Sequence, residues 1–143
     1  MSEDTSPRRI LFLCTENRAR SQMAEAIMRR RGGARFEVYS AGARPAAAIH
    51  PLAVEALAEI GIDAAGASPK SVADLLDVEF DLVITLCGGA RDVCPVFPGA
   101  PSREHWPLED PAAGGGSQRE RLAAFRAARD EIARRIERLL EMG

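Results

Sequence analysis

The fold of this chain is indicated by residues 11–26, which read LFLCTENRARSQMAEA. Residues 10–13 form a short, continuous apolar run, which is typical of a strand buried on both faces of a parallel sheet. The run ends at Cys14, and a helical spacing of apolar residues begins at Ser21. A thiol therefore lies where a strand turns into a helix, and Arg20 follows it across one short loop.

The alternation of strand and helix continues along the chain. The predicted strands span residues 10–13, 36–40, 80–86 and 103–106, and the predicted helices span 21–31, 50–60, 71–76 and 118–141. This pattern predicts an α/β fold with a parallel four-stranded sheet, right-handed crossovers and helices on both faces. Ligands of such folds bind beyond the carboxyl ends of the strands, and both Cys14 and Cys87 are predicted there.

The composition is that of an ordinary globular protein and excludes several classes. The chain has 143 residues, enough for one domain, and its net charge of −2 argues against a general nucleic-acid binder. No apolar run reaches transmembrane length, and residues 1–8 lack the apolar core of a signal peptide. We expect a flexible tail over residues 1–8, a single domain over residues 9–143, a cytoplasmic location and a monomer.

The loop from Cys14 to Arg20 has the features of an anion site. The free N–H groups at a strand-to-helix turn and the positive end of the helix attract an oxyanion, and the arginine fork suits a tetrahedral one. The same field stabilises a thiolate, so we expect Cys14 to be nucleophilic near neutral pH. Ser21 is expected to donate a hydrogen bond to the sulfur, and Asn17 to hold the loop. The alternative is a buried, inert cysteine with a surface arginine.

Two further cysteines, Cys87 and Cys94, flank a segment that begins with two glycines. Glycine makes the segment easy to deform, and thiol exchange requires a close approach of sulfur atoms. The alternative is a pair of packed cysteines in a loop. Metal binding is the weakest explanation, because His50 and His105 show no ligand spacing to the cysteines.

A carboxylate in the sequence Asp110-Pro111 is the candidate general acid. Proline stiffens its position, and the glycines that come after it allow the loop to close. Glu109 is the rival, and the alternative role for Asp110 is that of a turn cap.

The loop CTENRARSQMAEA resembles the signature of thioredoxin-coupled arsenate reductases, which share a flavodoxin-like, three-layer fold with low-molecular-weight tyrosine phosphatases. The resemblance covers most of the chain from residue 10 onward and includes residues 39–42, 83–95 and 105–112. Two loop positions depart from the family pattern. Glu16 replaces the usual glycine and must point outward if the site binds an anion, and Ala19 stands where cysteine is frequent.

The resemblance implies a residue-by-residue mechanism. The Cys14 thiolate attacks arsenate, and Asp110 protonates the departing oxygen. Cys87 then resolves the adduct as a Cys14–Cys87 disulfide, and Cys94 converts it to a Cys87–Cys94 disulfide that a thioredoxin-like partner reduces. Arsenate, or phosphate and sulfate as mimics, would be bound by Thr15, Glu16, Asn17, Arg18, Ala19, Arg20 and Ser21.

Two other functions remain open from the sequence. One is an aryl or tyrosine phosphatase that uses Cys14, Arg20 and Asp110 alone, and the other is a non-catalytic arsenic or redox sensor. No cofactor is expected to be required, although the resemblance implies a potassium ion at Asn17, Glu25 and Ser40.

Overall fold

A computed structural model describes residues 6–89 and 92–142 of the chain. The strands are β1 (Arg8–Cys14), β2 (Phe36–Gly42), β3 (Leu82–Cys87) and β4 (Ser102–Leu108), and the α-helices are α1 (Arg20–Gly32), α2 (Pro51–Ala58) and α3 (Gln118–Met142). Short 3₁₀ helices cover Gly33–Arg35 and Val72–Leu75. The four predicted strands and three of the predicted helices are present as strands and α-helices. The fourth predicted helix, at residues 71–76, is the second 3₁₀ helix. Most of the predicted tail, residues 1–5, and residues 90–91 of the glycine segment lie outside the described residues.

The four strands form one parallel sheet in the order β2-β1-β3-β4, which confirms the predicted fold class. Because β1 and β3 are neighbours and run in the same direction, their carboxyl ends meet at one edge. Cys14 ends β1 and Cys87 ends β3, so the two thiols share that edge as predicted. Beyond it lie the loop that enters α1 and the segment that comes after β3.

The helical cover of the two sheet faces is unequal. The larger buried cluster joins alternate residues of β1, including Ile10 and Phe12, to apolar side chains of α1, α2 and α3. The smaller cluster joins Leu11 and Leu13 to Phe80, Phe97 and partly buried residues around the 3₁₀ helix at Val72–Leu75. The second face is therefore covered by a 3₁₀ helix and loops, whereas the first carries the long helices. Within the described ranges no helix has the length and apolar character needed to span a membrane.

The amino-terminal ends of the three α-helices differ in a way that marks the site. At α2 the ring of His50 accepts a hydrogen bond from the N–H of Leu52, and at α3 Ser117 and Glu120 cap each other's backbone N–H groups. At α1, Ala19 provides no side-chain cap and the first turn holds no acidic residue. The positive end of α1 thus remains available to an anion.

Gly42, at the end of β2, allows the loop between β1 and α1 to approach the sheet. A β-carbon built at Gly42 would lie 2.7 Å from the carbonyl oxygen of Thr15 and 2.9 Å from the backbone nitrogen of Asn17. Both atoms belong to backbone, so relief would require the loop itself to move.

We predict that Gly42→Ala lowers the free energy of unfolding by about 2 kcal/mol, the usual cost of forcing extra volume into a packed site. Urea denaturation measures this change. The matched control is Gly66→Ala, because a β-carbon there meets nothing within 4 Å. The control should stay within about 0.5 kcal/mol of the parent chain. Equal stability of the two variants would contradict the close approach.

Candidate functional site

The backbone of the loop between β1 and α1 turns its carbonyl groups outward. Backbone N–H groups of residues 43–50 donate to these carbonyls, at 3.4 Å for Cys14, 2.8 Å for Thr15, 3.0 Å for Glu16 and 2.8 Å for Arg18. Across the described part of the chain, the N–H groups of residues 16–19 donate no hydrogen bond. Because the carbonyls point away from the loop centre, these N–H groups together with the uncapped end of α1 form a cradle for an anion.

The Cys14 thiol ends an ordered chain of hydrogen bonds. The backbone N–H of Lys70 donates to Asn17 Oδ1 at 2.8 Å, which leaves the Asn17 amide nitrogen facing Ser21 Oγ at 2.7 Å and Ser40 Oγ at 2.9 Å. Since Ser21 Oγ accepts from Asn17, its own hydrogen is free to donate to Cys14 Sγ, 2.8 Å away. This arrangement agrees with the roles expected for Ser21 and Asn17.

The three residues expected to hold potassium lie together, but their oxygens are already engaged. Ser40 Oγ donates to Glu25 Oε1 at 2.7 Å and accepts from Asn17. Lys70 Nζ lies 3.6 Å from Glu25 Oε1, and an Arg29 nitrogen lies 3.1 Å from Glu25 Oε2. Two cationic side chains thus flank the carboxylate, and this arrangement does not fit an oxygen-lined potassium site. The ion stays a prediction from the resemblance, and no step of the proposed reaction uses it.

Arg20 is fixed by a carboxylate that the sequence reasoning missed. Its side chain is 3% exposed, and its two Nη atoms each lie 2.7 Å from an oxygen of Asp92. Nη1 also donates to the carbonyl oxygen of Leu108 at 2.9 Å. Burial opposes the charge of Arg20, but the hydrogen bond to Asp92 and the negative charge of Cys14 outweigh it and raise its pKa. Hydrogen bonding from Arg20 in turn holds the pKa of Asp92 well below its usual range.

The rim of the cradle carries a second charged pair. Arg18 lies 3.5 Å from Glu16 Oε1 and 3.7 Å from Asp110 Oδ2. Glu16 is therefore paired with Arg18 at the partly exposed rim. This position agrees with the outward orientation that anion binding requires of Glu16. Arg18 offsets the charge that Glu16 would otherwise present to an incoming anion.

Asp110 lines the same cavity as the loop. The cavity has a volume of about 810 Å³, and Thr15, Arg18, Asp92 and Glu109 also line it. Asp110 Oδ1 accepts a hydrogen bond from the N–H of Ala112 at 2.9 Å, so the turn-cap role proposed as an alternative is also present. Its second oxygen lies beside Arg18, which lines the same cavity.

The three thiols differ in exposure. Cys14 and Cys87 are buried, whereas Cys94 is exposed, and none forms a disulfide. Burial is the main cause that raises the pKa of Cys87, and the neighbouring thiols of Cys94 and Cys14 act in the same direction. The Cys87 thiol is thus influenced by both of the other thiols. In the described residues no cluster of three histidine, cysteine or acidic side chains is suited to a metal ion.

Comparisons of this chain with known protein families, sequences and structures agree with one another. A sequence profile of the family described as low molecular weight phosphotyrosine protein phosphatase matches residues 9–142. An arsenate reductase of Halalkalibacterium halodurans is 46% identical over 94% of this chain and 96% of its own.

Two solved structures extend the comparison. An arsenate reductase in the phosphate binding state is similar with a TM-score of 0.79, at 31% identity over 94% of this chain and 98% of that one. A thioredoxin-dependent arsenate reductase of Corynebacterium glutamicum has a TM-score of 0.74 at 34% identity, covering 98% of this chain and 63% of that one.

We predict that Ser21→Ala slows the alkylation of Cys14 by iodoacetamide at pH 7 by about tenfold, because the thiolate loses a charge-assisted hydrogen bond. Mass spectrometry of the Cys14 peptide separates this reaction from that of exposed Cys94. Ser102→Ala, at an exposed position of β4, is the matched control and should react at the parent rate. An unchanged rate in Ser21→Ala would remove Ser21 from thiolate stabilisation.

Proposed function

The chain belongs to the low molecular weight phosphotyrosine protein phosphatase family, and within it we propose that this protein reduces arsenate to arsenite. The observation that carries the proposal is the order of the thiols. Cys14 lies at the floor of an anion cradle, Cys87 is buried at the end of the adjacent strand, and Cys94 is exposed to a partner. Hydrolysis of a phosphate ester would need only the first of them. The curated relatives named arsenate reductase give further support.

The first step uses the anion cradle. Arsenate, a tetrahedral oxyanion, is bound by loop N–H groups and by Arg20. The Cys14 thiolate, supported by the hydroxyl of Ser21, attacks arsenic and forms a sulfur–arsenic bond. One arsenate oxygen departs and takes a proton from Asp110, which lines the same cavity.

The second step is the reduction. Cys87 loses its proton and attacks the Cys14 sulfur, so that the sulfur–arsenic bond breaks and its electron pair stays on arsenic. Arsenic passes from the pentavalent to the trivalent state and leaves as arsenite, while a Cys14–Cys87 disulfide forms. Cys94 then attacks Cys87, which releases the Cys14 thiolate and leaves a Cys87–Cys94 disulfide. A thioredoxin-like dithiol protein reduces this bond because its exposed member is accessible.

The second candidate function is hydrolysis of aryl or tyrosine phosphates. Asp110 lines the cavity beside the anion loop, and both Cys14 and Asp110 lie near enough to act electrostatically on Arg20. These three residues are sufficient for a phosphoenzyme mechanism. Because phosphate and arsenate have the same shape and similar charge, we expect weak phosphatase activity, and phosphate or sulfate should compete with arsenate. We also propose that the protein is a monomer in the cytoplasm.

The decisive experiment couples the reduced chain to thioredoxin, thioredoxin reductase and NADPH. We predict NADPH oxidation that depends on arsenate and falls at least about a hundredfold in Cys87→Ser, because the arsenic adduct has no resolving thiol. Hydrolysis of an aryl phosphate by the same variant should persist, because Cys14, Arg20 and Asp110 remain. Full turnover in Cys87→Ser would contradict the relay. Phosphatase activity without arsenate-dependent oxidation would favour the second function, and neither activity would favour a sensor.

A separate prediction concerns potassium. Because Lys70 and Arg29 already neutralise Glu25, replacing potassium by choline at constant ionic strength should leave the rate of arsenate reduction within about twofold. The coupled NADPH assay measures this rate. A tenfold loss, restored by potassium and not by sodium, would support the ion implied by the resemblance.

A further inference from the structure

Asp92 has more hydrogen-bond donors around it than an ordinary loop carboxylate. Besides the two Nη atoms of Arg20, its oxygens accept from Thr15 Oγ1 at 2.8 Å and from the N–H groups of Gly88 at 2.9 Å and Gly89 at 2.7 Å. The Asp92 side chain is 9% exposed, so the carboxylate is largely removed from water. A buried carboxylate with five donors is held firmly in one position.

The contacts of Arg20 divide its guanidinium into two edges. Asp92 takes one N–H from each Nη atom, which is the end edge of the fork. The second N–H of Nη1 is directed to the carbonyl oxygen of Leu108, with that of Leu86 at 3.5 Å. Arginine has five N–H groups, and these contacts use three of them. The remaining two, one on Nη2 and one on Nε, donate no hydrogen bond to any described residue. These two N–H groups form the side edge, which is itself a bidentate donor.

We propose that Asp92 is a positioning residue, whose carboxylate holds the end edge of Arg20 so that the side edge faces the oxyanion. The carboxylate and the substrate then bind the same arginine at the same time, on different edges. This inference rests on the proposed function only in taking the loop as an oxyanion site.

The position of Asp92 in the chain gives this role a second consequence. Asp92 lies between Cys87 and Cys94, and it joins their segment to the anion loop through Arg20 and Thr15. The N–H of Val93 also donates to Thr15 Oγ1, at 3.1 Å. The same contacts that orient Arg20 therefore hold the resolving thiols beside the loop that carries Cys14.

The opposite role is a carboxylate that competes with the oxyanion for Arg20, and the two roles predict opposite effects. Removal of a positioning carboxylate weakens anion binding, because the guanidinium loses its fixed direction. Removal of a competing carboxylate strengthens anion binding, because the arginine fork becomes free and a like charge disappears.

The test measures inorganic phosphate binding through its protection of Cys14 from iodoacetamide, which requires no reductant and no turnover. We expect the apparent dissociation constant of phosphate to rise about tenfold or more in Asp92→Ala, the loss that corresponds to one charge-assisted contact. Asp92→Asn keeps the shape of the side chain and should also bind more weakly, because its amide nitrogen faces donors. The control is Asp130→Ala, whose carboxylate is paired with Arg129 on α3 outside the site and whose removal should leave phosphate binding unchanged.

A double-mutant cycle separates positioning from general damage to the fold. In an Arg20→Lys background, Asp92→Ala should change the phosphate constant by less than about twofold, because an ammonium group has no edge to orient. Equal losses in both backgrounds would contradict the proposal, as would unchanged or tighter phosphate binding in Asp92→Ala. If phosphate fails to protect even the parent chain, the anion site and the proposed function fail together, whereas equal protection of parent and variant removes only the positioning role.

Discussion

The direction of the peptide groups between β1 and α1 is the constraint on which the rest of the site depends. Hydrogen bonds from residues 43–50 hold the loop carbonyls outward, and the absence of a side chain at Gly42 allows the loop backbone to lie against the end of β2. The N–H groups are thereby directed inward, together with the uncapped end of α1. A cradle of fixed N–H dipoles needs no rearrangement when an anion arrives, which is why such a cradle stabilises both a bound oxyanion and charge that develops during the reaction.

The sequence was sufficient for the parts of the site that depend on local pattern. The apolar runs that end at Cys14 and Cys87, combined with the rule that parallel strands end at a common edge, predicted that these thiols share an edge. Asp92 was beyond this reasoning because its contact with Arg20 joins residues 72 positions apart and depends on how the segment after β3 folds back. A usable signal was present, since a carboxylate in the segment that follows the strand beside β1 is close enough in the fold to reach the loop arginine. The sequence also contained a signal for the pairing of Glu16 with Arg18, because an acidic residue in an anion-binding loop needs a basic residue nearby to offset its charge.

The same anion cradle serves a phosphatase and an arsenate reductase because phosphate and arsenate make equal demands on it. Both require donors around a tetrahedral dianion, a nucleophile beneath it and an acid for the leaving oxygen. The two chemistries differ in the step after the attack. A phosphoenzyme is hydrolysed by water, whereas an arsenic adduct is resolved by a second thiol. The two sulfur atoms then form a disulfide and together supply the two electrons that reduce arsenic. In the proposed mechanism, the end of β3 with Cys87 and the segment that follows it with Asp92 and Cys94 therefore distinguish a reductase from a phosphatase.

The raised pKa of Cys87 is consistent with a thiol that reacts second in the proposed mechanism. Burial is the main cause of its raised pKa, and the negative charge of Cys14 adds to it, whereas Arg20 acts in the opposite direction. A raised pKa favours the protonated form of Cys87 and makes this thiol a weaker nucleophile. In the proposed mechanism the Cys14 thiolate loses its charge when the sulfur–arsenic bond forms. One of the causes that oppose ionisation of Cys87 is then removed, while the effect of Arg20 remains. In the proposed mechanism the adduct therefore favours the Cys87 thiolate that resolves it, and the loss of charge on Cys14 contributes to the order of the two attacks.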